Sequence, residues 1–345
     1  MSPLNVPGSQ PFDLSIYVSL AFLFGIAAQF RAMDGHTLLR SLVAAFERRL
    51  GIVMAVAAVT FLFSPFLLND VLILILTPVV IQYARHNSID PVPLIVAEVT
   101  LTNVSSSLTP IGNPQNILLW TASGISFGGF VAGTWVLVLL SAALSAVALV
   151  PFARRAGKAK ESPLPIKSAY PVLYLLLVVA VPLLADLVGV KPYVSLGIAF
   201  GLGFPFTFRV LRQVLKEFDV RALAVLYVFI TAVGLASLEF APSLASAVAP
   251  VADGVQPYTG IFMGAASNII SNVPATQLVL NTAHVSAVVA PKLAVAAGLA
   301  GNLGPVASFA NLLALQIAAR NGVPVKRTLL LQLAVGLVSF LPALL

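Results

Sequence analysis

Apolar runs near or above the length needed to cross a bilayer recur along this whole chain, and that feature removes most folds from consideration. A helix needs about 20 residues to traverse a hydrocarbon core about 30 Å thick. The runs fall at 14–32, 51–66, 71–84, 92–120, 127–151, 169–188, 192–209, 222–240, 258–270, 275–290, 292–319 and 326–345. The chain is 59% hydrophobic and 9% charged, whereas soluble domains carry about 25% charged residues. The expected fold class is an all-α polytopic membrane protein. The first residues, MSPLNVPGSQPF, have no basic stretch ahead of an apolar one, so no cleaved signal peptide is expected. Cysteine is absent, which excludes disulfides, thiolate metal sites and a cysteine nucleophile.

The net charge of +7 would invite a nucleic-acid reading in a soluble chain. Here its placement matters more, and no nucleic-acid partner is expected. Basic residues gather in short loops: Arg31, Arg40, Arg48 and Arg49; Arg85; Arg154, Arg155, Lys158, Lys160 and Lys167; Arg209, Arg212, Lys216 and Arg221; Arg320, Lys326 and Arg327. An excess of Lys and Arg marks cytoplasmic loops. With these loops inside, only Lys191 and Lys292 of the 19 basic residues lie outside. The expectation is a multi-pass protein of the cell membrane with both termini outside.

Two pairs of runs are too short for simple crossings. Residues 51–66 and 71–84 would span only about 21–24 Å each at 1.5 Å per residue. They meet at SPFLLND, and both outer ends carry cytoplasmic arginines. A re-entrant hairpin with Asn69 and Asp70 at its tip is predicted. A second hairpin, 258–270 and 275–290, meets at SNVP (271–274). The runs 92–120 and 292–319 are instead too long, about 44 Å for the first. Each holds a polar interruption, NVSSSLTPIGNPQN and GNLGPVASFAN. Proline lacks an N–H and clashes with the preceding turn, so Pro110 and Pro114 break the helix. Carbonyls freed at a break are tolerated only where protein or a watery cavity receives them.

The order helix, hairpin, broken helix, helix therefore occurs twice. Residues 1–150 hold 14–32, 51–84, 92–120 and 127–151; residues 222–345 hold 222–240, 258–290, 292–319 and 326–345. The charge-derived orientation inverts the second set. Residues 151–168 form a cytoplasmic linker, and 169–210 supply two further scaffold helices. Discontinuous helices at corresponding places in inverted halves point to a transporter's midplane site.

Asp70 and Glu98 are the acidic residues that fall well inside apolar runs. A charge at such depth costs about 2.5–3.5 kcal/mol on insertion scales. Asp70, helped by Asn69, is the expected site of a coupling cation, H⁺ or Na⁺; the competing view is a carboxyl that only braces the broken helix. Glu98 is read either as a proton-sensing group or as a partner of Arg85. Ser105, Ser106, Ser107, Thr109, Asn113 and Asn116 offer hydroxyls, amides and free carbonyls at the first break. Ser271, Asn272, Asn302, Ser308 and Asn311 supply the mirror half. Small polar residues also serve as helix–helix glue, but that does not account for Pro, Gly and amides gathered at related places. The helix restarting after Pro114 is expected to aim its positive end into the site. His36, His86 and His284 are scattered and show no metal-binding spacing.

FLLNDVLILILTPVVI, AEVTLTNVSSSLTPIGNPQNILLW and SNIISNVPATQLVL resemble the ion transporter superfamily, which includes arsenite efflux permeases, sodium–proton antiporters and citrate or dicarboxylate transporters. The resemblance runs from about residue 14 to the end. It implies a homodimer in which hairpins and broken helices carry substrate across. Larger members have extra N-terminal helices that this sequence lacks. The carboxylate transporters carry Ser-Asn-Thr at both hairpin tips. Here the tips read Leu68-Asn69-Asp70 and Ser271-Asn272-Val273, and the first looks like the arsenite permease branch.

The expected function is secondary transport of a small inorganic oxyanion or metalloid, arsenite-like, coupled to H⁺ or Na⁺. Alternatives are a Na⁺/H⁺ antiporter and a Na⁺-coupled carboxylate or sulfate symporter. No cofactor is expected beyond a bound Na⁺. An enzyme would need a nucleophile–base pair or a metal cluster, and neither pattern is present.

Overall fold

The computed structural model describes residues 14–154, 156 and 169–345. The signal-peptide reading and most of the linker 151–168 therefore fall outside the described residues. Every regular element among the described residues is a helix. Among the described residues, five helical stretches are long and apolar enough to cross a membrane: Leu14–Ala32, Phe127–Ala153, Tyr170–Leu187, Pro192–Glu217 and Val325–Leu344. The protein is an all-α, multi-pass membrane protein.

The first half begins with α1 (Leu14–Ala32) and α2 (Gly35–Leu50). The segment 33–50 was expected to be a loop, and α2 corrects that. Leu38, Leu39, Val43 and Ala44 recur at helical spacing and are buried, while Arg48 and Arg49 are exposed at its end. A 3.6-residue period of this kind makes an amphipathic helix however many arginines it carries.

The hairpin follows as α3 (Ile52–Phe63) and α4 (Asn69–His86). Its arms are unequal: α3 has 12 residues and α4 has 18, so α4 spans about 27 Å. The first broken helix is α5 (Pro91–Ser105) and α6 (Pro114–Ser123), and α7 (Phe127–Ala153) closes the half. Asp90 caps α5 by accepting from the Val92 N–H at 3.0 Å, and Pro91 takes the first helical position. There its missing N–H costs nothing.

Next come α8 (Tyr170–Leu187), α9 (Pro192–Leu202), the short α10 (Phe204–Thr207) and α11 (Leu211–Glu217). The second half runs α12 (Val220–Ala252), hairpin α13 (Tyr258–Ile270) and α14 (Asn272–Thr282), broken helix α15 (Ala290–Ala300) and α16 (Phe309–Arg320), and α17 (Val325–Phe340). Two boundaries differ from expectation. α12 continues to Ala252 rather than ending near 240, passing through Pro242 and Pro250. α14 starts at the tip and stops at Thr282, so 283–289 connects to α15 without regular helix.

Packing between the halves is reciprocal. α4 lies on α16 as α14 lies on α6, and α5 meets α17 as α15 meets α7. Both hairpins thus reach across to the opposite half's restarted helix.

Candidate functional site

The two breaks share a backbone path. In the first, a 3₁₀ turn at Ser106–Leu108 leads into extended backbone at Thr109 (φ −122°) and Asn113 (φ −140°). In the second, a 3₁₀ turn at Gly301–Leu303 leads to Gly304 (φ −174°) and Ser308 (φ −133°). Each freed strand is held by one asparagine a turn into the restarted helix. Asn116 Nδ2 donates to Ser106 O at 3.0 Å and Thr109 O at 2.8 Å. Asn311 Nδ2 donates to Gly301 O and, at 2.9 Å, to Gly304 O. Each of these partners lies 195 positions from its equivalent (116 and 311, 106 and 301, 109 and 304). The hairpin tips dock alike: the Asn69 N–H donates to Gly112 O at 2.9 Å and the Asn272 N–H to Ala307 O at 2.8 Å. Backbone carbonyls that a broken helix would orphan are thereby used to seat the tips.

Close approach fixes two glycines. A Cβ on Gly112 would stand 2.1 Å from Ser106 O, and one on Gly298 would stand 1.9 Å from Ser107 Oγ. Ser271 is held at φ 73°, ψ 158°, a region that costs a non-glycine residue about 1–3 kcal/mol. The second tip is thus strained where it turns.

The tips and breaks enclose a cavity of about 50 Å³. Asn69 and Asp70 come from one tip, and Ser271, Asn272 and Val273 from the other. Pro114 and Gln115 open α6, Ser308 and Phe309 open α16, and Val225, Leu226 and Phe229 of α12 form an apolar wall. A site needs about 10–15 Å³ per water, so the space suits a small ion or a solute of a few heavy atoms. Asp70 is 4% exposed. The backbone of Ala310 in the first turn of α16 lies beside its carboxylate, where a negative charge complements the helix dipole. No lysine or arginine is among the lining residues.

Part of the positive end of α6 is used within the chain. Pro114 has no N–H, and the Asn116 and Ile117 N–H groups turn to Asn113 O at 3.1 and 3.4 Å. On α16, Asn311 and Leu312 likewise donate to Ser308 O.

Of the residues expected to form the site, the cavity collects Asn69, Asp70, Ser271, Asn272 and Ser308. The others sit behind it. Ser105 and Ser107 hydroxyls donate to Leu101 O (2.6 Å) and Asn103 O (3.1 Å). Ser106 Oγ accepts from Asn113 Nδ2 at 2.6 Å, and Thr109 donates to Pro65 O. Asn302 and Asn311 accept from Asn103 Nδ2 at 3.0 and 2.9 Å, and Asn302 donates to Ser339 Oγ at 3.0 Å. These residues, with Asn116, shape the breaks and tie the halves together. They do not line the cavity.

Glu98 also lies away from it, fully buried, with Oε1 accepting from Thr77 Oγ1 at 2.8 Å. The pairing with Arg85 is corrected: Arg85 turns outward to Asn321, because the end of α4 carries it away from the interior. Gln115 and Asn103 were missed by sequence reasoning. Gln115 stands beside Pro114 inside the quoted polar block. Asn103 is the first residue of the same block, and its role appears only once the second half packs against it.

The family model described as citrate transporter (CitMHS) matches residues 3–301, and the chain belongs to that family. It is 33% identical over 284 residues to the inner membrane protein YbiR of Escherichia coli, covering 79% of this chain and 71% of that one. A 78-residue stretch is 40% identical to the silicon efflux transporter LSI3 of Oryza sativa, covering 23% of this chain and 16% of that one. The YdaH transporter of Alcanivorax borkumensis shares the fold, with a TM-score of 0.51 at 14% identity over 96% of this chain and 83% of that one. The chain is a membrane transporter of this family and not an enzyme.

Proposed function

We propose that the protein is a secondary carrier for a small uncharged hydroxylated solute of the arsenous acid type, with Asp70 holding the coupling H⁺ or Na⁺. The observation that carries this reading is the cavity lining: one carboxylate, three amides and two hydroxyls, and no basic side chain. A multiply charged anion such as citrate or sulfate would meet Asp70 with no lysine or arginine in the lining to offset it. As(OH)₃ is neutral near neutral pH and can both donate and accept hydrogen bonds, as can silicic acid, the kind of solute the LSI3 name implies. A homodimer, both termini outside, and two oppositely oriented repeats exposing the cavity alternately belong to the same proposal.

The test is flux in proteoliposomes under imposed H⁺ or Na⁺ gradients, offering arsenite, silicic acid, sulfate and citrate in turn. Saturable, gradient-driven movement of arsenite or silicic acid is expected. Gradient-driven movement of citrate or sulfate instead would overturn the reading. The lack of a basic partner for Asp70 also supports a Na⁺/H⁺ antiporter. Proton flux that depends on Na⁺ with no added solute would establish that alternative.

A further inference from the structure

We propose that Gln115 is the specificity-determining residue of the cavity, its side-chain amide giving the cargo a hydrogen bond at the start of α6. The proposal rests on reading the cavity as the cargo site. Gln115 is the second residue of α6, only 2% exposed, and lines the cavity. Its Nε2 has no hydrogen-bond partner among the described residues. Pro114 before it has no N–H, and the Asn116 and Ile117 N–H groups after it are committed to Asn113 O, which leaves the donors of Gln115 itself, backbone and side chain, at this end of α6. The equivalent position on α16 is Ala310, which has no polar side chain and whose backbone faces Asp70. One restarted helix thus faces the chain's own acid, and the other presents an amide to the cavity.

The lining holds a second unmatched group. Asn272 is 3% exposed, and its Oδ1 has no partner among the described residues. A buried polar atom left unpaired is costly, so a good occupant satisfies both amides. That occupant must accept one hydrogen bond and donate another, which a hydroxyl group does and a fully deprotonated oxyanion does not. Rotating either amide exchanges its donor and acceptor, and the demand for a partner offering both remains. Sites built around polar groups reject analogues that leave those groups unpaired far more strongly than apolar pockets reject a wrong size. Gln115 is thus placed to separate hydroxyl-bearing solutes from oxyanions that have no proton to donate, such as sulfate.

The experiment compares wild type, Gln115→Leu and Gln115→Asn in proteoliposomes and in detergent. In Q115L the KM for arsenite is expected to rise about tenfold or more while kcat changes little, the pattern of lost uniform binding. The Tm of the cargo-free protein should stay level or rise, because a buried polar group without a partner is removed. Q115N, which keeps an amide at shorter reach, should fall between. An unchanged KM in Q115L overturns the proposal, as does a drop in its Tm, which would reveal a structural partner for the amide. Failure of the cargo reading itself shows differently: the wild-type protein then moves no hydroxylated solute, and this proposal falls with it.

Discussion

Single side chains divide the two halves of this molecule more sharply than its backbone does. Asn103 of the first half serves Asn302 and Asn311 of the second. The position 195 residues beyond Asn103 is Gly298. No equivalent amide therefore returns to the first break, and Asn116 Oδ1 has no partner among the described residues. Asn311 consequently holds more of the structure than Asn116. Asn311→Ala is expected to lower the Tm in detergent more than Asn116→Ala, each lost buried hydrogen bond being worth about 0.5–1.5 kcal/mol and stranded partners adding to it. Equal losses would mean that the cross-half link contributes nothing. At Asp70 the replacement by Asn keeps the shape of the side chain and removes a buried acid, so the protein should still fold. Flux in Asp70→Asn should continue down the cargo's own gradient and no longer respond to an imposed H⁺ or Na⁺ gradient, a result read in the same vesicles.

Among the elements, the breaks and hairpin tips act as one joint. The carbonyls at Gly112 and Ala307 receive the tips, and their positions depend on how tightly each break folds back. Gly112→Ala puts a methyl against the Ser106 carbonyl, a contact that backbone cannot relieve by turning a rotamer. It should reduce both Tm and flux. Ala307→Gly in the matching place should be nearly silent in flux, with a loss in Tm of at most about 1 kcal/mol equivalent from added chain entropy.

The joint was largely legible in the sequence. Runs too short or too long for a bilayer, with Pro and amides inside, marked both hairpins and both breaks. α2 was hidden because its arginines masked an apolar stripe. The division of labour within NVSSSLTPIGNPQN was also hidden. Which hydroxyls face a cavity and which bond to the preceding turn depends on tertiary contacts from the other half, and no local pattern encodes those. The end of α12 was misplaced for a related reason, since its prolines interrupt the pattern without ending the helix.

For the molecule as a whole, the reciprocal contacts of α4 with α16 and α14 with α6 suit two oppositely oriented repeats joined at their polar centres. The absence of native cysteine makes orientation simple to read. A single cysteine at Ser88 should label with an impermeant thiol reagent only from the cytoplasmic side, and one at Asp253 only from outside. Labelling of both from the same side would remove the inversion on which alternating access depends. Cargo should rest where the tips and breaks meet. Crystals of the protein grown with arsenite, measured at the arsenic absorption edge, would locate it. One anomalous peak is expected, inside the cavity bounded by Asp70, Gln115, Asn272 and Ser308. A peak elsewhere, or an empty cavity in protein that moves arsenite, would contradict it.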